Sequence, residues 1–156
     1  MVNIKYLFCF FIVSLVACDK LPQNDDLDGM WHLQKKTTFN DVNPNEVNVS
    51  DLRIYWNFQL DLLEIVSLEE PIYQDDAKKL KTDKVFCRFD FSGHTLCVNQ
   101  VYLHFDNRDS LLTDTSTQLL ERYGIMGCRD TFNVEHLGSK QMILVSDHKR
   151  LCFRKF

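Results

Sequence analysis

The sequence predicts an all-β domain of about eight antiparallel strands, closed as a small barrel or packed as a sandwich, with one short helix. Three observations predict it. From Asp28 onward apolar and polar residues alternate with period two, as half-buried strands require. Only five glycines and two prolines, Pro44 and Pro71, punctuate that alternation. A single stretch, Thr115–Tyr123, carries helix-end signals: Thr115-x-x-Gln118 fits a capping box and Gly124 a left-handed stop.

The chain begins with an address. Lys5 precedes twelve uncharged residues, Tyr6–Ala17. Roughly 20 apolar residues are needed to span a bilayer as a helix, so this run fits the apolar region of a secretory signal. Leu15-Val16-Ala17-Cys18 resembles the lipobox of bacterial lipoproteins. That resemblance implies cleavage before Cys18 and attachment of long acyl chains such as palmitate to it. An ordinary signal peptide or a buried first strand fits less well, because charged Asp19 follows the run at once. Two or three acyl chains hold a protein on a membrane far better than one, each buried CH₂ contributing about 0.8 kcal/mol. Residues 1–17 are thus read as a signal peptide, 18–27 as lipidated cysteine and flexible tether, and 28–156 as the folded domain. The expected location is the cell envelope, at the outer membrane on its periplasmic or surface face. Asp19 argues for inner-membrane retention under enterobacterial sorting, while Asp25-Asp26-Leu27-Asp28 looks like a surface-export signal of Bacteroidetes lipoproteins.

The strands follow in order. Asp28–Thr38 opens the domain with Trp31 and Leu33 on one face, and 39–51 reads as an Asn-rich loop. Arg53–Val66 reads as one long strand that places Ile54, Trp56, Phe58, Leu60 and Leu62 inward. A charged connection, Gln74–Asp83, leads to Lys84–Phe91, with Val85, Cys87, Phe89 and Phe91 on one side. Ser92-Gly93 supplies a tight turn, since glycine accepts the positive φ that such hairpins need. His94–Gln100 and Val101–Phe105 return, and 106–113 reads as polar loop. Thr131–His136, Lys140–Ser146 and Leu151–Phe156 complete the set.

Gly29-Met30-Trp31 resembles the G-x-W signature of lipocalins and their calycin relatives. The likeness extends to Phe89-Asp-Phe-Ser-Gly93, Tyr123-Gly-Ile-Met-Gly127 and Leu151–Phe156, and is closest to lipocalin-like lipoproteins of the Bacteroidetes type. It implies an up-and-down eight-stranded barrel in which Gly29 packs closely and Trp31 plugs one end. A basic residue of the last strand then lies over the indole; Arg154 or Lys155 is placed to do so, and Arg154 is favoured. The domain ends on a strand and lacks the T-D-Y motif apart from Thr113-Asp114, so the likeness bears on fold and general role rather than on a ligand.

The sequence carries no recognisable catalytic signature. No G-x-S-x-G, Gly-rich phosphate loop or H-E-x-x-H occurs. His32, His94, His104, His136 and His148 fall on separate segments, and Glu69-Glu70 and Asp75-Asp76 read as solvated loop charge. A formal net charge of −4 with no basic stripe argues against nucleic-acid binding. Cys87, Cys97, Cys128 and Cys152 have no zinc spacing and leave up to two disulfides or ordinary strand thiols open. We therefore expect a non-enzymatic protein without metal or cofactor. An eight-stranded barrel is filled by side chains or holds one small ligand. The leading expectation is a small apolar ligand in a pocket lined by Trp56, Phe58, Leu60, Leu62, Phe89, Phe91 and Phe132. The alternative is a filled barrel whose loops, 39–52 and 106–122, contact another envelope protein as an accessory or inhibitor-type module.

Overall fold

A computed structural model of the chain describes residues 24–39, 44–77, 80–106, 108–113 and 117–156. Cys18, the signal region and the Thr115 half of the expected capping box lie outside these residues. In chain order the strands are β1 (Gly29–Phe39), β2 (Pro44–Asn48), β3 (Ile54–Gln59), β4 (Leu62–Ser67), β5 (Tyr73–Asp75), β6 (Leu80–Thr82), β7 (Lys84–Ser92), β8 (Thr95–Phe105) and β9 (Arg108–Leu111). Helix α1 (Thr117–Glu121) follows, then β10 (Asp130–Leu137), β11 (Gln141–Val145) and β12 (Lys149–Lys155).

Eight antiparallel positions close into a barrel in the order β1-β3-β4-β7-β8-β10-β11-β12, with β12 returning to β1. This is the up-and-down barrel that the resemblance implies, with one short helix among the described residues. Two of its staves are broken. Strand β2 pairs with residues 35–39 of β1, where β3 pairs with residues 29–32, so β2 and β3 run end to end along one neighbour. A 3₁₀ turn at Ser50–Leu52 joins them, and Arg53 follows it at φ 46°. In the same way β9 and β10 share β8, and the segment between them carries α1. Strands β5 and β6 form a separate ribbon inside the stretch expected to be a plain charged connection.

The expected long strand Arg53–Val66 is instead a hairpin. Gln59 pairs with Leu62 across a two-residue turn in which Leu60 takes φ 58°. Reversal over two residues switches the inward set from Ile54, Trp56 and Phe58 to Leu63 and Ile65. Leu60 and Leu62 consequently face solvent, 49% and 39% exposed. The division expected after Gln100 is a β-bulge within one continuous strand. Cys87 faces Val101 and Arg88 faces Asn99, which leaves Gln100 as the extra residue at φ 48°. Inward positions therefore change from Leu96 and Val98 to Val101, Leu103 and Phe105. Gly93 (φ 60°) makes the expected β7–β8 turn.

Trp31, Trp56, Phe58, Phe132 and Phe153 are the largest fully buried side chains. Cys87 is also buried, and burial pushes its thiol up to about 12 from 9.0. The unfolded chain loses this proton near pH 9 and the folded chain retains it to about 12. Stability contributed by the neutral thiol is thus complete below about pH 9 and declines above it, with a limiting slope of about 1.4 kcal/mol per pH unit. Urea midpoints measured between about pH 8 and 10 should fall less in Cys87→Ala than in the parent.

Candidate functional site

The barrel has two ends. The near end carries the turns at Leu60-Asp61, Gly93-His94 and 138–140; the far end carries the loops after β4 and β8 and the Asp147-His148 turn. Each end is closed by a short segment of chain.

At the near end the closure is the 3₁₀ turn Asp25–Leu27, within the stretch expected to be tether. Leu27 is fully buried, and its carbonyl accepts a 2.8 Å hydrogen bond from Trp31 Nε1. The folded unit thus includes residues 24–27, because an apolar side chain here completes the core. Asn24 Nδ2 donates to the Leu60 carbonyl (2.7 Å) and to Asp28 Oδ1 (2.7 Å), which ties the entering chain to the β3–β4 turn.

Trp31 faces Trp56 across β1–β3 and Lys155 across β1–β12. The cation over the indole belongs to Lys155, whose Nζ lies 4.8 Å from the ring centroid and donates to the Asp26 carbonyl at 2.7 Å. Arg154, the favoured candidate, points to solvent, since alternation sets Leu151, Phe153 and Lys155 on the inward side. Gly29 has φ +114°, and a Cβ there would meet Lys155 Cε at 3.2 Å. The backbone conformation favours glycine here, and a side chain would also press on the Lys155 stem over the indole. Lys155→Met should lower unfolding free energy by about 0.5–2 kcal/mol, and Arg154→Met by less than about 0.5; urea titration of the two variants measures the difference.

At the far end the closure is α1 and the turn after it. Leu120, Tyr123 and Ile125 are buried, and the Tyr123 carbonyl accepts a 2.9 Å hydrogen bond from Trp56 Nε1. Gly124 lies so far into the bore that a Cβ would be 2.9 Å from Leu151 Cδ1 and 3.1 Å from Trp56 Cζ2. Its φ of +100° ends the helix as expected. Arg122 is ion-paired with Glu70, and Lys36 Nζ donates to the Glu121 carbonyl at 3.3 Å. Asp130 accepts from the Met126 and Thr131 amides, at 2.8 and 3.0 Å. Lys149, only 3% exposed, places Nζ 2.8 Å from Asp130 Oδ2, an ion-pair contact without a well-directed hydrogen bond. Desolvation draws the ammonium below the usual lysine range, against the opposing pull of Asp130.

Between the closures, aromatic rings pack against one another. Ring centroids lie 6.1 Å apart for Trp56–Phe58 and Trp56–Phe132, 5.1 Å for Trp56–Phe153 and 5.2 Å for Phe58–Phe89. Of the expected pocket residues, Trp56, Phe58, Phe89 and Phe132 meet in the bore, and Phe91 is half-buried at the near end. Leu60 and Leu62 are outside it. Sequence reasoning missed Leu27, Leu120, Tyr123 and Ile125, which occupy the ends; only the apolar pair Leu119-Leu120 in the helix hinted at the far one. Surface clefts lie outside the bore: at the far end between Ser67–Pro71 and Lys81–Asp83, on the outer wall beside Lys35, Gln141 and Cys152, and beneath the turn at Asp25-Asp26. Cys87, Cys97, Cys128 and Cys152 are free thiols. No group of three or more metal-ligating side chains converges among the described residues.

The family described as "Lipocalin-like domain" matches residues 12–156. No curated protein matches the chain. Two solved structures resemble it in fold. One is a lipocalin-like protein from Bacteroides uniformis, 22% identical with a TM-score of 0.53, covering 84% of this chain and 99% of its own. The other is an uncharacterized protein from Bacteroides eggerthii, 15% identical with a TM-score of 0.53, covering 83% and 98%. A closed eight-position barrel with a plugged G-x-W end, matched by a family model over most of its length, places this chain in the lipocalin-like domain family.

Proposed function

We propose that the protein is a lipid-anchored, non-enzymatic envelope module whose filled barrel holds its far-end loops for contact with another envelope protein. The observation that carries this reading is the bore itself: Trp31, Trp56, Phe58, Phe132 and Phe153 are at most 1% exposed, and both ends are closed by the chain's own residues. Anchoring rests on the lipobox at Cys18, and an outer-membrane site on its periplasmic or surface face fits that anchor. Leu68, Leu111 and Met126 in the far half are 51%, 48% and 38% exposed, which supports a contact surface there.

Carriage of one small hydrophobic ligand is the second reading. It is favoured by the far closure, where a few polar ties hold α1 over an apolar bore lined by Trp56, Phe58, Phe89 and Phe132. Displacing Leu120, Tyr123 and Ile125 would open that space. Native mass spectrometry of the full lipidated chain from its own host, with crosslinking in intact cells, separates the two. The first reading expects the empty lipoprotein mass and one stoichiometric crosslinked partner. A co-purifying small molecule without such a partner overturns it.

A further inference from the structure

Resting on the anchor at Cys18, we infer that the near end of the barrel sits against the bilayer, with Met30, Leu60, Leu62 and Phe156 set into its interface. The chain enters the fold at Asn24, which is bonded to the Leu60 carbonyl. Six steps of chain from Cys18 to Asn24 reach at most roughly 20 Å when fully extended. The lipid is thus held closer to this end than the span of the longest strands, about 35 Å for eleven residues.

The surface that the tether brings to the membrane carries four exposed apolar side chains among its polar ones. Met30, Leu60, Leu62 and Phe156 are 38%, 49%, 39% and 77% exposed. They lie together. The Phe156 amide donates to the Met30 carbonyl at 2.8 Å, and its ring meets the edge of Tyr55 at 5.5 Å. Met30 pairs with Asn57 on β3, and Leu62 with Gln59 beside the Leu60 turn. Adjacent strands β12, β1, β3 and β4 carry the group, a width of roughly 14 Å at ordinary strand spacing. Single exposed apolar residues are commonplace; these two pairs are set apart by standing at the end of the barrel where the chain enters the fold. Charges around it are of both signs: Arg88 is paired with Asp61, exposed Asp25 and Asp26 flank the entry, and Arg154 and Lys140 stand nearby. This balance suits a zwitterionic headgroup layer, with shallow insertion of the apolar side chains, more than a strongly anionic surface.

The test uses the full lipidated chain in phosphatidylcholine vesicles whose acyl chains carry bromine, a short-range quencher of tryptophan. Leu62→Trp and Phe156→Trp, with Leu111→Trp as the far-half control, each add one reporter to the buried Trp31 and Trp56. The expected result is a blue shift and loss of the added emission for Leu62→Trp and Phe156→Trp, and neither for Leu111→Trp. Unquenched emission from both near-end reporters, on chains that still float with the vesicles, overturns the inference and leaves the anchor standing. A blue shift without quenching that grows with protein concentration assigns the face to a second copy and also overturns it. Chains that neither float nor carry acyl mass on Cys18 remove the anchor reading and this inference with it.

Discussion

Trp31→Ala should lower the stability of the domain by about 3–5 kcal/mol, the range for buried aromatic side chains cut to alanine, and its thermal midpoint by roughly 10–20 °C. The ring is fully buried and faces Trp56 across the sheet, so truncation leaves a cavity between closure and core. It also removes the hydrogen bond to the Leu27 carbonyl and the surface over which Lys155 Nζ lies. The near-end closure then keeps only its bonds from Asn24 to Leu60 and from Lys155 to Asp26 as ties to the wall, and hydrogen exchange at the Leu27 amide should accelerate as well. Trp31→Phe keeps much of the volume and forfeits the indole N–H, so it should lie between the parent and the alanine variant. A midpoint unchanged in Trp31→Ala would mean that this end is held by something other than the indole.

Trp56→Ala should be as costly, again about 3–5 kcal/mol, and should additionally change what the protein binds. Trp56 stands at the centre of the bore, in contact with Phe58, Phe132 and Phe153 and hydrogen-bonded to the Tyr123 carbonyl of the far closure. Its removal leaves an apolar void of the kind that stays dry and accepts benzene-sized molecules. Benzene should therefore raise the melting midpoint of Trp56→Ala and leave the parent unmoved. Equal stabilisation of the parent would show that the native bore already has room, and would return the ligand-carrier reading to first place.

Much of the wall was legible in the sequence because half-buried strands impose period two. The G-x-W start, the Gly93 turn and the Gly124 helix stop were legible because each needs a conformation or contact that glycine supplies. The change of inward parity after Gln100 could also be read, although the alternation alone did not reveal the cause as a bulge. The β3–β4 hairpin was hidden for a physical reason: its turn is Leu60-Asp61, with no glycine, proline or asparagine, and Leu62 continues the even-numbered apolar series on the outside. The far-end helix was legible from its end signals, but not that it closes the bore, and the near-end closure was hidden because a single apolar residue beside two aspartates has no periodicity to detect. The choice of Arg154 over Lys155 was avoidable, since the alternation of Leu151 and Phe153 already assigned residue 155 to the inner side.

The seam between β1 and β12 also sets the order of assembly. Trp31 pairs with Lys155, and Lys155 bonds to Asp26, 129 positions away. Hairpins such as β3–β4 and β7–β8 need only local contacts and are expected to form early, whereas this seam requires nearly the whole domain to have been synthesised. Until then the first strand offers an unpaired edge, and the near-end closure has no lysine to fasten it. A chain already tethered by its lipid would pass this interval at the membrane surface, so the residues that complete the base of the barrel are the last to reach it.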